Sequence, residues 1–145
     1  MIGKRGVLFV KIRTDFVTNS SSSSFIIAKK NNATNKDLKE LFSNYREEIL
    51  DMLMDHDGDI PCENNEVILD YFEKKDCTRA IDLVIEELIY CVQGIKNGLS
   101  LDGWTVMSEY INDSYSYAEY GELLYYILYY FCDIDSDWLK IKEFS

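Results

Sequence analysis

Asp15-Phe16-Val17-Thr18-Asn19-Ser20-Ser21-Ser22-Ser23-Ser24-Phe25-Ile26-Ile27 is the stretch around which the rest of the chain is organised. Its serine run is held between two apolar clamps, Phe16-Val17 and Phe25-Ile26-Ile27. A serine run alone is a flexible linker, but clamps on both sides turn it into a tight loop between two strands. Upstream, Val7 to Arg13 alternates, with Leu8, Val10 and Ile12 on one face and Phe9, Lys11 and Arg13 on the other. That pattern suits a strand with one covered face. Downstream, Phe25-Ile26-Ile27-Ala28 reads as a second short strand ended by Lys29-Lys30-Asn31-Asn32. The two are expected to pair as a wide hairpin.

Beyond the hairpin the periodicity becomes helical. Thr34 with Asp37 resembles a capping box. Leu38, Leu41, Phe42, Tyr45, Ile49, Met52 and Leu53 then recur at three- and four-residue intervals, which predicts an amphipathic helix over about 36–54. A polar loop with the single proline follows. Val67, Ile68, Tyr71 and Phe72 fit a short helix, with a strand over 67–72 as the alternative. Ile81, Val84, Ile85, Leu88, Val92 and Ile95 predict a second long helix over about 77–96, stopped at Asn97-Gly98. Trp104 to Met107 reads as a short strand after the Asp102-Gly103 turn. A third helix over about 117–132 opens on a Ser116/Glu119 capping box, and Trp138 to Phe144 alternates as a closing strand.

The expected architecture is one α+β domain over residues 1–145. The N-terminal hairpin and C-terminal strand would form a small, mostly antiparallel sheet covered by about three helices. At 145 residues, 47% hydrophobic, the chain can bury a core without disulfides or metal. Cys62, Cys77, Cys91 and Cys132 are scattered and His56 is the only histidine, which disfavours zinc and suits reduced thiols in a cytosolic protein. The N-terminal apolar run, Val7 to Val10, is too short for a signal peptide, and Leu123 to Cys132 is about half a membrane span. No cofactor is expected.

Charge divides the chain. Residues 1–36 carry a balance of +6 and residues 37–145 one of −17, for a net −11. A basic strand-loop-strand segment over 1–30 therefore precedes an acidic helical body over 31–145. So acidic a surface disfavours direct binding to nucleic acid or to an anionic membrane.

Four candidate sites emerge. The backbone amides and hydroxyls of Asn19, Ser20, Ser21, Ser22, Ser23 and Ser24 could cradle an anion or accept phosphorylation, beside Lys11, Arg13, Lys29 and Lys30. Asp55, Asp57, Asp59 and Glu66 stand at positions 1, 3, 5 and 12 of a calcium-loop spacing, but Ile60 occupies the position that needs glycine, and a solvated acidic turn is the simpler reading. Glu47, Glu48, Asp51, Glu63, Asp70, Glu73, Glu86 and Glu87 fall on polar helix faces. They form either a solvated surface or an acidic interaction face that imitates phosphates and occupies a basic groove on a nucleic-acid-binding protein. Tyr125, Tyr126, Tyr129 and Tyr130 extend the apolar surface of the third helix around much of its cylinder. They serve as core, as a homo-oligomer contact or as a partner surface.

The catalytic inventory is thin. There is no glycine-rich phosphate loop, no G-x-S-x-G elbow and no H-E-x-x-H, and His56 is the only imidazole base available to a nucleophile. The reading leans away from an enzyme, though a small enzyme with an unrecognised site stays open.

Lys11 to Ile27, K-I-R-T-D-F-V-T-N-S-S-S-S-S-F-I-I, resembles an N-terminal signature shared by uncharacterised small proteins of Firmicutes, especially clostridia, and of their phages. The resemblance covers about seventeen residues. It implies a bacterial, phage or mobile-element origin and a modular N-terminus, and it implies no activity. Together these features lead to the expectation of a non-catalytic acidic protein of a phage or mobile element that acts by protein–protein contact, one form of which is an inhibitor of a host nucleic-acid-binding or defence protein. An ion- or ligand-binding module is the alternative.

Overall fold

The computed structural model describes residues 23–96, 98–111 and 122–144. Their order is β1 (Ser23–Lys30), α1 (Asn35–Ser43), α2 (Arg46–Asp55), α3 (Asn65–Glu73), α4 (Cys77–Gln93), β2 (Leu99–Leu101), β3 (Trp104–Ile111), α5 (Glu122–Tyr130) and β4 (Leu139–Phe144). The protein is α+β, and its four-stranded antiparallel sheet runs β2-β3-β1-β4.

β1 is the central strand and is longer than expected, beginning at Ser23 and ending at Lys30. The upstream strand over 7–13, and with it the N-terminal hairpin, lies outside the described residues. β1 instead pairs with β3, where Ile27 faces Met107, and with β4, where Ile27 faces Ile141. Phe25, Ile27, Met107, Leu139 and Ile141 are buried in one cluster with the helices. The buried side chains of the helices join the same cluster, so the core lies on that face of the sheet.

The expected long helix is two. Its hydrophobic rhythm continues from Leu38, Leu41 and Phe42 to Ile49, Met52 and Leu53, all buried. Between them the Asn44 and Tyr45 amides turn back to Leu41 and Phe42. Ser43 Oγ also donates to the Lys39 carbonyl at 2.7 Å, a back-bond that competes with helical continuation. The Thr34 capping box is present in both directions, Thr34 N to Asp37 Oδ2 at 2.9 Å and Asp37 N to Thr34 Oγ1 at 3.1 Å.

Residues 65–73 form the expected short helix, as α3, and not the alternative strand. α4 is the central helix and buries Ala80, Ile81, Val84, Ile85, Leu88, Ile89 and Val92. Each large aliphatic residue removed from water contributes about 1.5–3 kcal/mol. The helix stops at Gly94 rather than Asn97, and Ile95 just beyond is still buried. The Asp102-Gly103 turn closes a β2–β3 hairpin in which both turn residues have positive φ, the geometry a two-residue hairpin loop requires. That hairpin joins the sheet next to β1, a partnership the sequence reading did not foresee. The Ser116/Glu119 cap lies outside the described residues, and β4 matches the predicted closing strand.

Candidate functional site

Alternation along β1, β3 and β4 divides inward from outward side chains. Ile26, Ala28 and Lys30 lie opposite Phe25, Ile27 and Lys29. The register then aligns Lys30 with Trp104, Ala28 with Val106 and Lys140, Ile26 with Ser108 and Lys142, and Ser24 with Phe144. Leu99 and Leu101 extend the same face beyond Val106 and Trp104. No described helix covers this face. Ile26 is 38% exposed, Phe144 46%, Leu101 54% and Leu99 71%. Among the described residues strands β1 to β4 bring Lys30, Lys140 and Lys142 and no Asp or Glu to this face, in a chain with 26 acids; Asp135, bridged opposite Lys140, is an acid at its margin.

Trp104 anchors one end of this surface. The Lys30 and Lys140 ammonium groups stand 5.0 and 5.6 Å from its ring centre, within cation–π range. Lys140 also pairs with Asp135 at 2.8 Å. In the sequence Lys30 belongs to the basic N-terminal segment, and Lys140 and Lys142 alternate with Leu139 and Ile141 on the closing strand. Their shared face comes from strand register between β1 and β4, 110 residues apart at Lys30 and Lys140.

The acidic face is less uniform than its sequence implied. Glu47, Glu63, Asp70, Glu73 and Glu86 are exposed, and Glu48 and Asp51 are half-buried. Glu87 is a correction: it is only 8% exposed, and its Oε2 accepts from Asn64 Nδ2 at 2.6 Å. A buried carboxylate needs such a donor. It also sits near two thiols. Burial and then Glu87 push Cys62 up to about 11 and Cys91 up to about 12. Burial, followed by Asp133 and Glu143, pushes Cys132 up to about 12. These three thiols are held protonated, which makes them poor nucleophiles.

The Asp55–Glu66 segment terminates a helix. The Gly58 amide reaches back to Leu53 O at 2.8 Å and the Asp57 amide to Met54 O at 3.4 Å, the paired bonds of a Schellman motif. Asp57 and Gly58 both have positive φ. A Cβ on Gly58 would fall 2.7 Å from the Phe72 ring, which explains the glycine at this position. Asp59 accepts from Asn65 Nδ2 at 2.7 Å, and Asp55 accepts from the Tyr130 hydroxyl at 2.8 Å. Among the described residues no three His, Cys, Asp or Glu side chains gather to hold a metal ion; Asp55, Asp57, Asp59 and Glu66 are no exception.

The tyrosines fasten α5 to the end of α2. Tyr130 is buried, and its hydroxyl also lies 3.2 Å from His56 Nε2. Tyr126 packs on the His56 ring at 4.5 Å, and Tyr125 stacks on Tyr129 at 6.1 Å. Tyr125, Tyr126 and Tyr129 are half-buried. Of the serine group, Asn19 and Ser20 to Ser22 lie outside the described residues, while Ser23 and Ser24 belong to β1. These two are strand residues and not part of a loop.

No helix among the described residues is long and apolar enough to cross a membrane. No protein-family model, curated protein or solved structure matches this chain.

Proposed function

We propose that this chain is a non-catalytic binding protein acting through protein–protein contact, and that the helix-free face of its sheet makes the contact. The observation that carries this reading is the joint exposure of Ile26, Leu99, Leu101 and Phe144 on one face with Lys30, Lys140 and Lys142. An apolar surface of this kind is commonly an interaction site. Charge complementarity selects a partner whose own apolar patch is bordered by Asp and Glu. A single-stranded nucleic acid fits less well. Base stacking along a strand uses successive open aromatic faces, and here the Trp104 ring is engaged by Lys30 and Lys140, which leaves the exposed Phe144 at the far end of the face. The net charge of −11 also repels phosphate.

The test is capture from bacterial lysate with the full chain, a sheet-face reversal (Lys30→Glu, Lys140→Glu, Lys142→Glu) and a helix-face reversal (Glu47→Lys, Glu63→Lys, Glu73→Lys). The expected result is one protein retained by the wild type and the helix-face variant, lost by the sheet-face variant, and released as salt rises. A partner that survives sheet-face reversal, or capture abolished by nuclease, overturns this assignment.

A second reading rests on the exposure of Glu47, Glu63, Asp70, Glu73 and Glu86 on the helical layer. It gives that layer a basic partner, such as a nucleic-acid-binding or defence protein that the carboxylates occupy in place of phosphate. The same experiment separates the two, since this partner would be lost by the helix-face variant alone. The signature over 11–27 supports a bacterial or phage setting, and with it a cytoplasmic site of action.

A further inference from the structure

A second surface lies between α1 and α4, on the side of the sheet away from the docking face. Asn35 meets Gln93 through Gln93 Nε2 to Asn35 Oδ1 at 3.1 Å, which places the start of α1 beside the end of α4. Residues of the two helices line a groove of about 490 Å³: Asn35, Lys36 and Lys39 from α1, and Glu86, Ile89, Tyr90 and Gln93 from α4. That volume is within the range of about 300–1,000 Å³ usual for small-molecule sites.

Lys29 stands behind the Gln93 wall. It ends the inward row Phe25, Ile27, Lys29 and is only 8% exposed. Its Nζ donates to Gln93 Oε1 at 3.1 Å, and among the described residues it has no other acceptor. An ammonium has three donors and no acceptor, so a neutral amide leaves most of its charge uncompensated. Burial, and then Lys96, lower its pKa, as expected for a positive charge without a counter-ion. Gln93 also donates to the Ala33 carbonyl at 3.0 Å, so the amide is fixed between the lysine and the loop before α1.

We propose that this groove binds a small aromatic phosphate of the nucleoside monophosphate class. Lys36 and Lys39 take the phosphate at the rim, with Lys29 adding positive potential from behind Gln93. Tyr90, 78% exposed on the wall, supplies a ring face for the base. Glu86, the one carboxylate of the lining, accepts from sugar hydroxyls. A purely anionic ligand would be repelled there, so the mixed lining favours a molecule with an anionic end and a row of donors. This site shares no residue with the sheet face and stands or falls independently of the docking reading.

Titration of the ¹⁵N-labelled full chain with AMP, GMP, CMP and UMP, followed by amide and side-chain NMR shifts, tests the proposal. At least one nucleotide should shift Asn35, Lys36, Lys39, Tyr90 and Gln93 together. Adenosine, which lacks the phosphate, and inorganic phosphate, which lacks the ring, should each bind at least about tenfold more weakly. Lys36→Ala/Lys39→Ala and Tyr90→Ala, both altering rim residues, should weaken binding by a similar factor, and Lys29→Met should do so if it remains folded. The proposal is overturned if no nucleotide shifts the groove at millimolar concentration. Unchanged affinity in the double lysine variant overturns it equally, as does binding of free phosphate as tight as that of the nucleotide.

Discussion

Asn64 donates to the buried carboxylate of Glu87 at 2.6 Å, tying the loop before α3 to the middle of α4. This bond separates one member of the acidic tract from the rest, since it holds a carboxyl group inside while most of its neighbours face water. Asn64→Ala should therefore destabilise the protein by about 1–3 kcal/mol, the cost of leaving a buried acceptor without its donor. Glu73→Ala, at an exposed position, should stay within about 0.5 kcal/mol of wild type. Urea denaturation of the two variants makes the comparison, and equal effects would contradict the assignment of Glu87 to the interior.

Two helices end on non-glycine residues in the left-handed region, Asp57 after α2 and Lys75 after α3. At Lys75 the Asp76 amide reaches Tyr71 O at 2.9 Å and the Lys75 amide reaches Phe72 O at 3.0 Å, again a Schellman pair. Lys75→Gly should stabilise the protein by about 1 kcal/mol, because glycine relieves the left-handed penalty without losing a contact of importance. Gly58→Ala should have the opposite sign and cost about 2 kcal/mol, through overpacking against Phe72. Thermal unfolding reads both; a destabilised Lys75→Gly would show that the lysine side chain matters more than its backbone.

Alkaline pH should weaken the fold. Cys62 is pushed up to about 11 and Cys91 and Cys132 to about 12, while the unfolded thiols ionise near 9. The folded state therefore keeps protons that the unfolded chain gives up, and this contribution to stability is complete below about pH 9 and fades towards pH 11–12. Tyr45, raised by burial, acts in the same direction. Lys29, lowered by burial, acts in the opposite direction below its ordinary value of 10.5. Three thiols outweigh one lysine, so the denaturation midpoint should fall between pH 9 and 11. A flat or rising midpoint would refute the burial of these thiols. At pH 8 the same three should alkylate with iodoacetamide far more slowly in the native protein than in urea.

At the end of α5, Tyr130 and the adjoining Phe131 should respond differently to truncation. Tyr130→Phe keeps the ring and removes the hydroxyl bond to Asp55, a loss of about 1 kcal/mol. Phe131 packs edge-on against Phe42 and Tyr45, each at 5.7 Å, and is 2% exposed. Phe131→Ala should cost about 3–5 kcal/mol. Guanidinium titration distinguishes these values, and a mild Phe131→Ala would mean that α5 is not integral to the core.

Much of the local structure was legible because it depends on near neighbours. The Thr34/Asp37 cap, the buried positions of α1, α2 and α4, the Asp102-Gly103 turn and the alternation in β4 all follow from spacings of two to four residues. The break at Asn44-Tyr45 escaped because apolar periodicity crosses it undisturbed. The Asp55–Glu66 spacing was ambiguous for a related reason: acids at calcium-loop intervals and a helix terminator with a left-handed Asp57 look alike until Phe72 is placed over Gly58.

What the sequence determined by itself is the class of fold, the amphipathic helices and the imbalance between a basic start and an acidic body. Only the tertiary structure decided strand order, and strand order decides which charges meet. Lys30 shares a face with Lys140 and Lys142 because β1 pairs with β4, and Lys29, one residue earlier, is turned inward towards α4. Glu87 is buried while Glu86 lines an open groove. Adjacent residues with the same charge thus occupy opposite environments. A side chain's burial depends on which distant element packs over it, and residue spacing carries no information about that.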